Sequence, residues 1–230
     1  MTNIVPLNKE IHRSLRVQPA GNDAKAFVAV VVTEFTHLVV HYPILFSKDG
    51  ETGAFYCGAM HGFEIGENLF RDAGSAIYRP LNLQRGPFFV AGDDVAIDLD
   101  NPCVGSGEAL FDAAGEPSPY LQSIVGLFRN LVAGNEQTKL FIAALLANKL
   151  IEPVDITVSF DDGNTRKLEG LFTVNQEKLR QLPDTVVVEF FRRGYLDLIT
   201  MMLASLNQIA VMAKKKNTAP AEALAIGPQD

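Results

Sequence analysis

Between Pro43 and Phe88, apolar and aromatic residues are interrupted every few positions by Gly, Pro, Asn or a charge. The pattern runs through Tyr42-Pro43-Ile44-Leu45-Phe46, then Gly62-Phe63-Glu64-Ile65-Gly66-Glu67-Asn68-Leu69-Phe70, then Tyr78-Arg79-Pro80 and Arg85-Gly86-Pro87-Phe88. Such punctuation predicts short strands joined by tight turns, with glycines supplying the positive φ that turns require.

The flanking sequence extends this reading. Ile4-Val5-Pro6-Leu7 predicts a short edge strand, and Gly21-Asn22-Asp23 a turn. Phe27 to Val32 is continuous and β-branched, which suits a strand covered on both faces. Thr33 is the expected N-cap of a short helix carrying Phe35, Leu38, Val39 and Tyr42, stopped by Pro43. Strands are expected at Ile44–Phe46, Ala54–Met60, Pro87–Ala91 and Val95–Leu99. The character changes at Gly115-Glu116-Pro117. Ser118 and Pro119 open a helix with Leu121, Ile124, Val125, Phe128 and Leu131 on one face, broken at Gly134-Asn135. A second helix carries Leu140, Phe141, Ala144 and Leu145. A hairpin follows: Val154, Ile156, Val158 and Phe160 alternate with polar residues, Asp161-Asp162-Gly163-Asn164 turns, and Thr165 to Val174 returns. Asn175 caps a short helix, and Pro183 opens another that reaches Gly194. A long helix is expected from Tyr195 to Lys216, with Leu196, Ile199, Leu203, Leu206 and Ala210 on its buried stripe. The fold class is α+β: a β-rich N-terminal half and a helical C-terminal half interrupted by one hairpin. One domain is expected over residues 1–216, followed by a flexible tail over 217–230.

Composition narrows the function. The chain has 230 residues, with Lys and Arg numbering 20 against 27 for Asp and Glu, a net charge of −7. That balance disfavours nucleic acid, and no basic patch alternates with aromatics. Cys57 and Cys103 form neither a disulfide framework nor a zinc motif. Met1-Thr2-Asn3-Ile4-Val5-Pro6 has no basic leader or apolar core of a signal peptide. Ala26 to Val32, the longest apolar run, falls far short of the ~20 residues of a membrane helix. The expected location is the cytoplasm, with export lacking a cleaved N-terminal signal left open, and no membrane span is expected.

Several constellations invite chemistry. His37 and His41 stand at i and i+4, with Glu34 one turn earlier. The zincin pattern fails because Leu38 follows His37, and a metal site would need a further ligand, such as His12 or His61, brought in by folding. No metal is expected. Asp93, Asp94, Asp98 and Asp100 do not match a calcium loop, since Pro102 and Cys103 occupy ligand and turn positions; a charge-protected strand edge is expected. No phosphate loop, nucleophile elbow or nucleophile–base pair is present, and no cofactor is expected. The candidate binding residues are Glu67, Asn68, Arg79 and Arg85, in loops between apolar anchors, because Arg and Asn recognise carboxylates and amides with defined geometry. The competing reading is that they satisfy loop carbonyls and each other.

In order and spacing, Tyr42-Pro43-Ile44-Leu45-Phe46, Gly66-Glu67-Asn68-Leu69-Phe70, Arg85-Gly86-Pro87-Phe88, Gly107-Glu108-Ala109-Leu110-Phe111-Asp112, Leu168-Glu169-Gly170-Leu171-Phe172, Arg193-Gly194-Tyr195-Leu196 and Ser205-Leu206 resemble the bacterial SapC family. The resemblance covers nearly the whole chain except the tail. It implies a link to surface-layer or envelope biology and carries over no catalytic residue. The family pattern also implies a Trp near position 75, where this chain reads Asp72-Ala73-Gly74-Ser75-Ala76. The expected function is a non-enzymatic binding or accessory protein with a protein or peptide partner. The alternative is an enzyme, or an enzyme's partner, acting on a peptide or carbohydrate through the Glu67, Asn68, Arg79 and Arg85 loops. Met201, Met202, Ile209, Val211 and Met212 widen the apolar surface of the last helix, so a homodimer through that helix is expected, with an intramolecular cover as the alternative.

Overall fold

A computed structural model describes residues 3–19, 24–70, 77–92 and 94–225, with residues 219–225 described by their backbone alone. The strands of the first half are β1 (Ile4–Pro6), β2 (Arg16–Val17), β3 (Phe27–Ala29), β4 (Ile44–Lys48), β5 (Phe55–Met60), β6 (Phe88–Ala91), β7 (Asp94–Asp98) and β8 (Glu108–Ala109). Those of the second half are β9 (Ile151–Pro153), β10 (Ile156–Ser159), β11 (Thr165–Leu168) and β12 (Leu171–Val174). The helices are α1 (Phe35–Leu38), α2 (Leu81–Gln84), α3 (Pro119–Ala147), α4 (Gln176–Arg180), α5 (Asp184–Arg192), α6 (Tyr195–Ser205) and α7 (Gln208–Ala225). A 3-10 turn, Val32–Glu34, precedes α1. The class is α+β, with sheets in the first half and the larger helices in the second.

The chain divides into two compact units, Met1–Asp23 with Arg79–Gly134, and Ala24–Tyr78 with Asn135–Asp230. The sequence reading treats residues 1–216 as one domain.

In the first unit, β1 and β6 flank β7, antiparallel on both sides. β1 is thus an edge strand, the place where its Pro6 is tolerated. Asp98 fastens the junction: its Oδ1 accepts from the Asn3 N–H at 3.0 Å and the Asp100 N–H at 3.2 Å. Asp94 and Asp100 are exposed as expected of a charged edge, whereas Asp98 is buried by that bonding. Asp93 and the Gly21-Asn22-Asp23 turn lie outside the described residues.

Helix α3 opens as its sequence predicts. Ser118 Oγ accepts from the Leu121 N–H at 3.2 Å, and Pro119 takes the first helical position, where no donor is lost. Leu121, Ile124, Leu127, Phe128 and Leu131 are buried, with Val125 half-buried. Phe88 of β6 meets Tyr120 edge-on at 6.1 Å. The break expected at Gly134-Asn135 is absent, and α3 is one helix of 29 residues. A helical Gly costs about 1 kcal/mol relative to Ala, less than the burial of the apolar residues on either side returns.

The second unit is built on an antiparallel sheet of five strands in the order β3-β5-β4-β12-β9. Side-chain alternation sorts its residues into two layers. Ile44, Phe46, Cys57 and Ala59 join Phe35, Leu38, Phe141, Leu145, Phe190, Tyr195, Ile199 and Met202 on one face. Leu45 and Met60 join Ile156, Val158, Phe160 and Met212 on the other. Helices therefore cover one face, and the β10–β11 hairpin with α7 covers the other. Gly58 marks a close approach: a Cβ there would stand 2.1 Å from the Phe27 ring.

Ile44, Leu45 and Phe46 are each 0% exposed, so β4 is the strand covered on both faces. That role is expected for Phe27–Val32, but the strand ends at Ala29. The backbone then turns, and the Glu34 carboxylate accepts from the Val31 N–H at 3.0 Å. Val31 is the N-cap there, and Thr33 is exposed.

Further expectations change in the second half. The returning strand splits at Gly170 (φ +73°), so that β12 leaves the hairpin and joins the large sheet beside the unforeseen β9. The helix expected over Tyr195–Lys216 is two helices separated at Leu206-Asn207, and α7 continues through Ala225. The tail expected from residue 217 is helical backbone to that point, and residues 226–230 lie outside the described residues. The buried positions of α6 are Tyr195, Ile199, Met202 and Ser205, whereas Leu196, Leu203 and Leu206 are half-buried and Ala210 is exposed. The stripe is rotated because Ser205 faces the sheet: its Oγ accepts from the Ile44 N–H at 2.8 Å and donates to the Met202 C=O at 2.6 Å. By length and composition alone, Tyr195–Thr218 would suffice to cross a membrane; its Tyr195, Ile199, Met202 and Met212 lie in the two core layers.

Candidate functional site

The first unit carries a groove of about 840 Å³ along α2 and the first turns of α3. Pro80 ends the preceding extended segment and opens the short α2. The Arg79 C=O accepts from Gln84 Nε2, which ties the α2 turn to the residue before it. Arg79, Leu81 and Gln84 form one side of the groove. The other side is a face of α3: Tyr120, Ser123, Ile124, Leu127 and Asn130 follow at helical spacing, with Gly126 and Arg129 beside them.

The lining has an apolar floor, a polar rim and a definite sign of charge. Ile124 and Leu127 are buried, whereas Ser123, Arg129 and Asn130 are exposed. Ser123 Oγ donates to the Tyr120 C=O at 2.7 Å. Among the described residues no lining residue is acidic. Burial, and then the charges of Cys103 and Glu108, push the Tyr120 phenol up from its ordinary value, while Arg79 acts in the opposite direction. A Cβ added at Gly126 would meet nothing within 4 Å among the described residues.

Of the four sequence-predicted residues, Arg79 lines this groove. Arg85 belongs to the same unit, donates from Nη1 to the Phe88 C=O at 2.6 Å, and lies 4.4 Å from the Phe89 ring centroid. Its burial lowers its pKa. Glu67 and Asn68 belong to the second unit. Glu67 accepts from the Phe63 N–H at 2.6 Å and pairs with Lys216 at 3.0 Å. Lys216 also pairs with Glu64 at 2.7 Å, and Arg166 with Glu64 at 3.0 Å, so this cluster joins the loop, the hairpin and α7. Asn68 Oδ1 accepts from the Phe70 N–H at 2.9 Å. Glu67, Asn68 and Arg85 thus support the backbone of their own loops, and Glu67 also ties its loop to α7.

Glu34, His37 and His41 do not converge on one point. Glu34 is buried and accepts from the Tyr78 hydroxyl at 3.2 Å. His37 stacks on Tyr78 with centroids 4.8 Å apart, whereas His41 meets Tyr42 edge-on at 6.0 Å. Burial, followed by the Glu34 charge, raises the Tyr78 pKa. His61 is 1% exposed and lies 4.2 Å from the Tyr42 ring. Its Nδ1 is 3.1 Å from the Ala59 C=O, its Nε2 has no hydrogen-bond partner among the described residues, and burial lowers its pKa to about 4. Burial likewise pushes the Cys57 thiol up, which makes it unreactive. Among the described residues no group of three or more His, Cys, Asp or Glu is placed to hold a metal ion. The Asp72–Ala76 segment lies outside the described residues.

Sequence reasoning missed Gln84, Tyr120, Ser123, Gly126, Arg129 and Asn130 as lining residues. The available signal was the second face of α3, where a glycine and small polar residues recur beside the apolar stripe. The family model SapC matches residues 7–212. No curated protein and no solved structure matches the chain.

Proposed function

The chain belongs to the SapC family, and we propose that it is a non-catalytic binding or accessory protein whose first unit holds an acidic peptide in the groove along α2 and α3. The observation that carries this reading is the charge of the lining. Among the described residues, two arginines, Arg79 and Arg129, and no carboxylate line the groove, in a chain whose net charge is −7. A local reversal of sign selects an anionic ligand. The guanidinium fork matches a carboxylate in geometry as well as charge. Gln84 and Asn130 offer both amide donors and acceptors, which suits a peptide main chain. Leu81, Ile124 and Leu127 provide an apolar floor. A volume of about 840 Å³ falls in the upper part of the ~300–1,000 Å³ range of ligand sites.

Binding is favoured over turnover because the described lining residues offer no imidazole or carboxylate to act as a general base. The hydroxyl of Ser123 is engaged with the Tyr120 carbonyl. The envelope association implied by the family resemblance makes a segment of a partner protein the natural source of such a peptide.

Fluorescence anisotropy tests the reading with two labelled octapeptides, one alternating Glu and Leu, the other alternating Lys and Leu. In an extended peptide, alternation sends leucines to the floor and charges to the rim. The Glu–Leu peptide is expected to bind, to weaken as salt is raised, and to lose at least tenfold in affinity to R129E. Equal binding of the Lys–Leu peptide, or an R129E variant that binds like the parent, would remove the support for this function.

A further inference from the structure

We infer that Gly126 is a specificity-determining position, at which the main chain of an extended acidic peptide lies directly against α3; this rests on the groove being the binding site. Packing does not account for this glycine. At Gly58, Gly62 and Gly107 an added Cβ would come within 2.1, 2.7 and 2.6 Å of neighbouring atoms, whereas at Gly126 it would meet nothing within 4 Å among the described residues. Backbone conformation does not account for it either, since Gly126 is inside a regular helix and is absent from the positive-φ glycines.

A glycine in a helix interior costs about 1 kcal/mol relative to Ala. Here that cost brings no relief of crowding and no special φ. What it leaves is open space above the helix backbone, inside a groove lined by Arg79, Gln84, Arg129 and Asn130. Glycine is the residue that allows a ligand's backbone to come close to the protein's own. An extended peptide seated there has its main chain within reach of the Gln84 and Asn130 amides and its acidic side chains beside the two guanidinium groups. A ligand held by charge alone would need no such clearance. Side chains introduced at residue 126 would therefore select against the peptide without changing the charge of the site.

The test is the anisotropy titration of the Glu–Leu octapeptide with full-length parent, G126A and G126L. G126A is expected to fold, because its Cβ has room, and to bind at least threefold more weakly. G126L is expected to bind at least tenfold more weakly, with unchanged dependence of the remaining affinity on salt. If the parent binds and both variants bind as tightly, the inference is overturned while the groove reading stands. If the parent does not bind the peptide, both are overturned. A G126L chain that fails to fold leaves the decision with G126A, where parent-like affinity overturns the inference.

Discussion

Ser205→Ala offers a sharp test of how the second unit is assembled. Ser205 is 0% exposed, and its Oγ joins α6 to the middle of the sheet by accepting from the Ile44 N–H at 2.8 Å. Alanine keeps the helix and nearly the same volume, but leaves that N–H buried without its acceptor. A buried donor stranded in this way costs about 1–3 kcal/mol. Ile44 is also 0% exposed, so water does not replace the lost oxygen; a loss near 2 kcal/mol is expected. For a chain of this size 1 kcal/mol corresponds to about 2–4 °C in Tm, so the shift is about 4–8 °C. The assay is urea unfolding followed by circular dichroism, with an unchanged m-value showing that stability alone has moved. Ser123→Ala is the control: its exposed hydroxyl bonds only its own helix, and the change is expected to stay within about 0.5 kcal/mol. If S205A unfolds within about 0.5 kcal/mol of the parent, the claim that α6 is registered on the sheet through Ser205 is refuted.

Other expectations follow from the same geometry. His61 has a folded pKa of about 4 against 6.5 for the free group. The unfolded chain takes up this proton first as pH falls, so stability is full above about pH 6.5 and declines toward pH 4, by about 3 kcal/mol in total; the decline should flatten in His61→Leu when unfolding midpoints are compared across that range. Asn175→Ala removes the side-chain bond to the Lys178 N–H at 2.7 Å and should cost about 1 kcal/mol, read from urea midpoints. Lys216→Ala should lower the unfolding midpoint through the Glu64–Glu67–Arg166 cluster, and the loss should shrink in 1 M salt, because Glu64 and Arg166 are exposed and Lys216 and Glu67 keep partial access to solvent.

Local rules were legible wherever a short stretch determines its own geometry. Ser118 and Pro119 announce the start of α3, Asn175 that of α4, and Gly194, in the left-handed conformation at φ 71°, the junction of α5 and α6. The β4–β5 and β10–β11 hairpins follow from alternation and turn residues. What was illegible depends on partners far along the chain. Gly134 reads as a breaker until its burial within a continuous helix is seen. The stripe of α6 is read one position away from its true face because the determining contact is a hydroxyl, Ser205, that pairs with a residue 161 positions earlier. Arg79 was legible as a candidate, and it lines the groove, because an Arg beside a Pro in a loop stands out. Arg129 and Asn130, on the exposed side of a helix, look like ordinary solvated positions until α2 is placed against them. Glu67 and Asn68 share Arg79's loop-like sequence context, yet they bond the backbone of their own loop.

The central claim is tested most directly by recording the amide NMR spectrum of the isotopically labelled protein during titration with the Glu–Leu octapeptide. Saturable shifts concentrated at Leu81, Gln84, Ser123, Gly126 and Asn130 are expected, with the midpoint moved at least tenfold higher in R129E. Saturable shifts confined to the second unit, or none at millimolar peptide, would contradict it.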